Sequence, residues 1–282
     1  MRRPFWLAVV PAMRLSAARG LSYGVLGLLA LICLVPVYTT LITVTNANNP
    51  TGALNFLPDR FFIRNLTNLL FGSDYFDFSR AYLNSLIVSG SCTVLTCYFG
   101  ALTAYGFALF EFPAKRLLWG LLLAVMMIPQ TVSIVGFYRL VLALDMTDTW
   151  WPLILPGIAN AYVVFYLRQY IASVIPVSLI EAARIDGCRE LSAFHRVVLP
   201  NLIPGVAPVL ILVFLQSWNS YLLTLLVINK HELNTLPVLL LQLRDGGTAG
   251  ISVSFSMLTI LVLLVLFLRL FKTPGVKDGI NG

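Results

Sequence analysis

Residues 81–110 read AYLNSLIVSGSCTVLTCYFGALTAYGFALF, thirty consecutive positions without a charged side chain. At 1.5 Å per residue, a helix needs about 20 residues to cross a hydrocarbon core roughly 30 Å thick. This run is long enough, and its apolar residues do not alternate as a barrel strand requires. In lipid, a segment has to satisfy its backbone N–H and C=O groups internally, so the run is a helix. Five more uncharged runs lie at 20–58, 117–138, 149–167, 197–229 and 246–268. The whole chain is 59% hydrophobic and 11% charged, where an average soluble domain is roughly 25% charged. Its mean hydropathy is +0.87.

These runs predict an all-α, polytopic membrane protein with six transmembrane helices. The expected cores are 21–43, 82–108, 117–138, 151–170, 204–228 and 250–270. One transmembrane domain spans 21–275, between an N-terminal segment 1–20 and a tail 276–282. The first run is longer than the apolar part of a signal peptide. No A-x-A-like cleavage site follows it at Thr45-Asn46-Ala47-Asn48.

Orientation follows from Lys and Arg. With the N-terminus inside, 13 of the 19 basic residues fall on the inner side and six on the outer side: Arg60, Arg64, Arg80, Arg139, Lys230 and Arg244. The positive-inside rule then places both termini in the cytoplasm, together with a polar excursion at about 172–203. The net charge of +7 is accounted for by this topology. The basic residues are scattered and form no stripe that would fit nucleic acid.

Several chemistries are excluded. The chain has no Gly-Lys pair and hence no G-x-x-x-x-G-K-[ST] phosphate loop. Its two histidines, His195 and His231, are expected on opposite sides of the membrane. The four cysteines fit no zinc spacing. The expected spans carry almost no ionisable groups, which ion or proton pathways usually need. Only Arg139 and Arg168 come near, each close enough to an interface for its side chain to snorkel.

Between the spans, residues 59–71 place Phe62, Leu66, Leu69 and Leu70 on one face of a short amphipathic helix. Residues 229–249 form a longer outer loop. It reads either as a re-entrant segment or as a finger toward an extracytoplasmic partner.

The polar excursion is the most informative segment. Pro176 ends the preceding span. Ser178-Leu179-Ile180-Glu181 reads as a capping box. Ala182 and Ala183 lack bulk, so another surface can come close, and Ile185 shares a face with Ala182. Gly187 suits the left-handed residue that closes a short helix. A second short helix is expected from Arg189 to Val198, with Phe194, Val197 and Val198 on one side and Leu199-Pro200 as its stop. On pattern alone, two such helices could simply lie on the inner leaflet.

The spacing points elsewhere. Glu181-Ala182-Ala183, then Gly187, Val197 and Leu199-Pro200, resembles the signature of the membrane subunits of ATP-binding-cassette importers that work with a binding protein. Val197 stands where isoleucine is usual. Further stretches resemble the carbohydrate-uptake branch of that family: Leu102 to Ala108, Phe112-Pro113, Met126 to Pro129, Leu153 to Pro156, Ser217-Trp218-Asn219, Thr235 to Val238 and Gly275 to Gly279. The smaller permease of maltose-type importers is the best match, from about residue 80 onward.

The resemblance implies a non-catalytic subunit of a plasma membrane, with no cofactor of its own. ATP and Mg would be bound by a cytoplasmic ATPase dimer. The other expected partners are a second permease, expected to be a different chain, and an extracytoplasmic solute-binding protein. Glu181, Ala182, Ala183, Ile185, Asp186, Gly187, Phe194, Val197, Leu199 and Pro200 would form the ATPase-coupling segment. A sugar or oligosaccharide is the expected solute. A polyol or phosphodiester, or an ion-coupled carrier, is the alternative. Asn84, Gln130, Asn160, Gln216, Trp218 and Asn219 are polar or aromatic residues in or near spans. They are candidates for the translocation pathway, and each could equally be a helix-packing hydrogen bonder.

Overall fold

The computed structural model describes residues 23–39, 42, 45, 57, 60–71, 77–242, 256, 259–262, 265 and 269. The segment 1–20, the tail 276–282, the Gly275–Gly279 stretch and most of the expected sixth span lie outside them. Every element among the described residues is helical. The chain divides into two compact units, one of residues 1–71 and 244–254, the other of residues 72–243 and 255–282.

The first unit holds α1 (Tyr23–Thr39) and α2 (Phe62–Phe71). The uncharged stretch at 23–39 forms the helix expected there. The amphipathic helix expected at 59–71 is present with its start at Phe62.

The second unit is organised around α3 (Phe78–Leu109). At 32 residues it extends about 48 Å, enough to cross a membrane with a turn or more to spare. Asp77 caps its start, accepting from Arg80 N–H at 2.9 Å. Then come α4 (Lys115–Met126), α5 (Gln130–Ala143), α6 (Trp151–Ile158) and α7 (Ala161–Val174). After the polar excursion come α10 (Leu199–Trp218), α11 (Leu222–Val227), a 3-10 turn at His231–Leu233, and α12 (Leu236–Gln242).

Around α3 pack α6, α7, α10 and α12. Its buried positions are mostly small: Ala81, Ser85, Ser89, Cys92, Cys97, Gly100, Ala101 and Ala104. Small residues let helix axes approach closely, which matters where lipid is as apolar as the side chains. At Gly100 the approach is at its limit, since a Cβ would lie 2.6 Å from Val163 Cγ1. A similar approach brings Gly205 of α10 against the ring of Tyr170 on α7. The core that results joins Ala101, Ala104, Tyr105, Val163, Leu167, Ile171, Leu202 and Val209.

Three expected spans are broken helices. The run 117–138 divides at Met127-Ile128-Pro129, where Pro129 takes the extended conformation before α5 (φ −61°, ψ 128°). Proline has no N–H to continue the ladder and disfavours the helical conformation in the residue before it. The run 151–170 divides at Ala159-Asn160, and Asn160 restarts it by accepting from Val163 N–H at 3.2 Å. The run 204–228 ends at Trp218 and resumes as α11. Its first half begins earlier than expected, in an unbroken helix Glu190–Trp218. By length and composition, Phe78–Leu109 and Glu190–Trp218 can each cross a membrane. The pair Trp151–Val174 and Val177–Ile185, bent by 80°, can make a third crossing. In α10, Pro204 and Pro208 follow Pro200 at four-residue spacing.

At the end of α3 away from the excursion, the 228–242 segment is tied down. Asp148 Oδ1 accepts from Asn229 N–H at 2.6 Å and Lys230 N–H at 3.0 Å. Asn84 donates to the Glu232 and Asn234 carbonyls, both at 2.9 Å. Leu236 N–H donates to Ser85 Oγ at 2.7 Å. Leu236, Val238 and Leu239 are buried, so this part of the expected outer loop folds back onto the bundle. Residues 243–249 of that loop lie outside the described residues.

Gly100→Leu is expected to lower the thermal midpoint of the purified protein, because overpacking a filled crossing costs roughly 1–3 kcal/mol. At Gly106 nothing lies within 4 Å of an added Cβ. Gly106→Ala should therefore hold or raise the midpoint. Asp148 supplies a pH test. The two backbone N–H donors hold its carboxyl below the ordinary 3.8. A lowered folded pKa means the tie is complete above that ordinary value and is lost as pH falls through the lower one. Hydrogen exchange at the Asn229 and Lys230 amides should rise on acidification below 3.8, and should already be raised at neutral pH in Asp148→Asn.

Candidate functional site

The polar excursion begins where α7 ends. Ile175 is extended (φ −106°, ψ 105°) and closes the helix by donating its N–H to the Ile171 carbonyl at 2.9 Å. Pro176 favours that extension, since proline disfavours the helical conformation in the residue before it. The helix α8 (Val177–Ile185) starts directly after Pro176, which holds the N-cap position without a side-chain cap bond. This corrects the capping box expected at Ser178-Glu181. Because Pro176 sets the boundary, Ser178 falls at the second helical position, where its hydroxyl cannot cap.

At its other end α8 closes on glycine, as the sequence predicts. Gly187 has φ +82°. Its N–H donates to the Arg184 carbonyl, and Cys188 N–H donates to the Ala183 carbonyl, both at 3.0 Å. This is the double-bonded left-handed closure that satisfies the last carbonyls of a helix. Arg189 is extended, and α9 (Glu190–Ala193) follows.

The expected stop at Leu199-Pro200 is absent. Residues Phe194–Val198 form a π turn, and Leu199 N–H bonds the Phe194 carbonyl five residues back. The helix then runs on as α10. The wider turn relieves the clash between the Pro200 ring and the preceding turn that would break a regular α-helix.

Burial divides the excursion into two faces. Ile180 (1% exposed), Ala183, Ala193, Phe194 and Val198 point inward. Ile180, Phe194 and Val198 join the core of Tyr105, Ile171, Ile175 and Leu202. Val197 and Leu199 pack half-buried against it. Glu181, Ala182, Ile185, Asp186, Gly187 and Pro200 are exposed. Ile185 is 86% exposed, more than any other large apolar side chain among the described residues.

A polar set, not anticipated from the sequence, ties the excursion to α3. Arg184 Nε–H donates to Glu190 Oε1 at 2.8 Å. Tyr105 O–H donates to Glu190 Oε2 at 3.1 Å. The Arg184 guanidinium lies 5.6 Å from the Phe110 ring centroid. Two helical turns along α3 from Tyr105, Tyr98 Oη lies 3.0 Å from His195 Nε2. Arg184 and Glu190 are paired only because the elbow at Gly187 turns one helix back on the other. Tyr105 lies 85 residues from Glu190, so no local pattern links them.

The other candidates are dispersed. Asn84 sits at the far end of α3 with its amide committed to the two loop carbonyls. Asn160 caps α7. Gln130 is the first residue of α5. Gln216 is exposed at the end of α10, as is Asn219, which donates to the Leu215 carbonyl at 2.9 Å. Trp218 is buried (1% exposed). Its indole N–H donates to Ser256 Oγ at 2.8 Å, its face stacks on Phe214 at 5.4 Å, and its ring meets Tyr82 edge-on at 5.7 Å.

The family model described as binding-protein-dependent transport system inner membrane component matches residues 97–273, more than half of the chain and including the whole excursion. The chain belongs to this family.

Curated relatives agree. The arabinooligosaccharides transport system permease protein AraQ of Bacillus subtilis (strain 168) is 33% identical over 216 residues, 75% of each chain. The trehalose transport system permease protein SugB of Mycobacterium tuberculosis is 32% identical over 209 residues, 72% of this chain and 76% of that one. The sn-glycerol-3-phosphate transport system permease protein UgpE of Pectobacterium atrosepticum is 28% identical over 266 residues, 90% of this chain and 94% of that one. The same fold occurs in the crystal structure of a bacterial ABC transporter importing the acidic polysaccharide alginate. That chain has a TM-score of 0.78 and 21% identity, with 92% of this chain and 98% of that one covered.

The protein is therefore a permease of an importer and not an enzyme. In this permease, Ala183 and Phe194 anchor the excursion, while Ala182, Ile185 and Asp186 remain on its outward face. Gly187→Val should loosen the elbow. A side chain in the left-handed region costs roughly 1–2 kcal/mol, and amide exchange across 183–190 is expected to rise while that of α3 stays unchanged.

Proposed function

We propose that this permease forms half of the translocation pathway of an ATP-driven oligosaccharide importer. The excursion, Glu181 to Pro200, couples it to a separate ATPase. On this reading six helices cross the plasma membrane with both termini in the cytoplasm, and the domain extends over 21–275. A second permease of different sequence completes the pathway, and an extracytoplasmic protein delivers the solute. ATP and Mg are bound by a cytoplasmic ATPase dimer.

One observation carries the coupling role. An exposed apolar side chain, Ile185, stands beside small Ala182 and acidic Glu181 at the tip of a capped helix whose inner face is buried. Such a tip offers apolar area to a cleft, room for close approach, and a carboxylate for basic groups at its rim. Ala183, Phe194, Val197 and Leu199 hold the tip from behind. Closure of the ATPase dimer would then shift the permease between two access states through its different contacts with each. For the pathway, Asn84, Gln130, Asn160, Gln216, Trp218 and Asn219 remain the candidates.

Two relatives whose names specify sugars support an oligosaccharide. A glycerol phosphate permease aligning over most of the chain supports a second reading, a small phosphorylated polyol. Uptake of labelled arabinotriose, trehalose and sn-glycerol-3-phosphate, in cells with and without this chain, separates the two. Loss of sugar uptake alone is expected, and loss of glycerol phosphate uptake alone would favour the second reading. Glu181→Lys and Gly187→Val should abolish uptake while the chain still inserts. Normal uptake in both variants would remove the coupling role. Uptake that survives ATP depletion with the proton gradient intact would indicate an ion-coupled carrier.

A further inference from the structure

We infer that Glu190, held by Tyr105 and Arg184, is the positioning residue that fixes the docking helix α8 against the long helix α3. The inference rests on the coupling role proposed above for the 181–200 segment.

The connections of α8 to its neighbours are hinges. At one end Ile175-Pro176 sets an 80° bend. At the other, Gly187 at φ +82° is the residue type with the least resistance to rotation. Apolar contacts of Ile180 and Ala183 hold α8 down, but such contacts are non-directional and tolerate sliding. A force delivered at the exposed tip would turn α8 about these hinges before it moved the bundle.

Glu190 removes that freedom. One carboxylate oxygen takes the Arg184 Nε–H from the last turn of α8, and the other takes the hydroxyl of Tyr105 on α3. Hydrogen bonds are directional where apolar packing is not. Two bonds on opposite oxygens of one rigid group fix the orientation of α8, α9 and α3 together. Phe110 closes the fourth side, 5.3 Å from Tyr105 and under the Arg184 guanidinium. The contact of Tyr98 with His195 repeats the attachment seven residues earlier on the same face of α3, so the excursion cannot pivot about a single point.

The Arg184 and Glu190 side chains are 41% and 48% exposed. Exposed ion pairs add little to stability. The role is therefore one of alignment, and it predicts a defect in coupling rather than in folding.

The test uses the whole complex, purified with its ATPase, second permease and co-purifying binding protein. The readout is the ratio of ATP hydrolysis with and without that binding protein. Tyr105→Phe keeps the ring and loses one bond. Glu190→Gln keeps the shape and loses the charge. Both are expected to assemble and to lower the ratio by roughly 5-fold or more, the span of a typical coupling energy. The exchanged pair Arg184→Glu with Glu190→Arg should restore most of it, since arginine at 190 can still donate to the Tyr105 oxygen. Where Glu190→Gln does not assemble, Arg184→Lys, which keeps charge but lacks the Nε–H donor, serves in its place. An unchanged ratio in the single variants overturns the inference, as does a lowered ratio that the exchanged pair leaves unrestored. A wild-type chain that never co-purifies with an ATPase overturns the coupling role itself, and this inference with it.

Discussion

The close approach of helix backbones to α3 is the constraint on which the second unit depends. Lipid gives apolar side chains no reason to prefer each other, so packing has to come from fit. Small residues along α3 supply it; Gly100 marks where α7 comes as near to α3 as it can, and Gly205 where α10 meets Tyr170 of α7. The helices α6, α7, α10 and α12 pack on α3 directly. Its far end receives the 228–242 segment through Asn84 and Ser85. Its near end receives the excursion through Tyr98 and Tyr105.

Under the coupling role proposed for it, the excursion combines two demands that ordinarily conflict. A segment that docks with a partner has to leave apolar surface in water, and a segment that transmits force has to be fastened to its own chain. Here the demands fall on opposite faces of the same short helices. Ile180, Ala183, Phe194 and Val198 face the bundle, while Ala182 and Ile185 face away. The glycine elbow makes this division possible, because it turns α9 back so that its first carboxylate meets the last basic residue of α8.

Much of this was legible in the sequence, and what was missed has a physical pattern. Charge-free runs revealed the long apolar helices, since lipid excludes charge regardless of tertiary context. Gly187 and Pro176 were legible because each restricts its own backbone. The breaks at Pro129 and Ala159-Asn160 were missed because hydropathy measures side chains and not the continuity of the backbone ladder. The capping box failed by one residue, since Ser178 had the right chemistry but Pro176 set the start. Leu199-Pro200 looked like a stop, and a π turn carried the helix through it. The Tyr105, Arg184 and Glu190 set was out of reach, because it exists only after residues far apart in the chain have been packed together. The pathway candidates were chosen for polarity, yet Asn84, Asn160 and Asn219 direct theirs at the backbone of this same chain.

The three prolines of the helix after the excursion have a mechanical consequence. Pro200, Pro204 and Pro208 recur every four residues and so lie on nearly one side of the cylinder. None carries an N–H, so the carbonyls of Arg196, Pro200 and Pro204 lack their usual donors along that line. Missing bonds on a single side make a rod anisotropic. It resists bending in most directions and yields in one plane, opening along the proline side. Any bending of this helix therefore follows a direction already built into its covalent sequence.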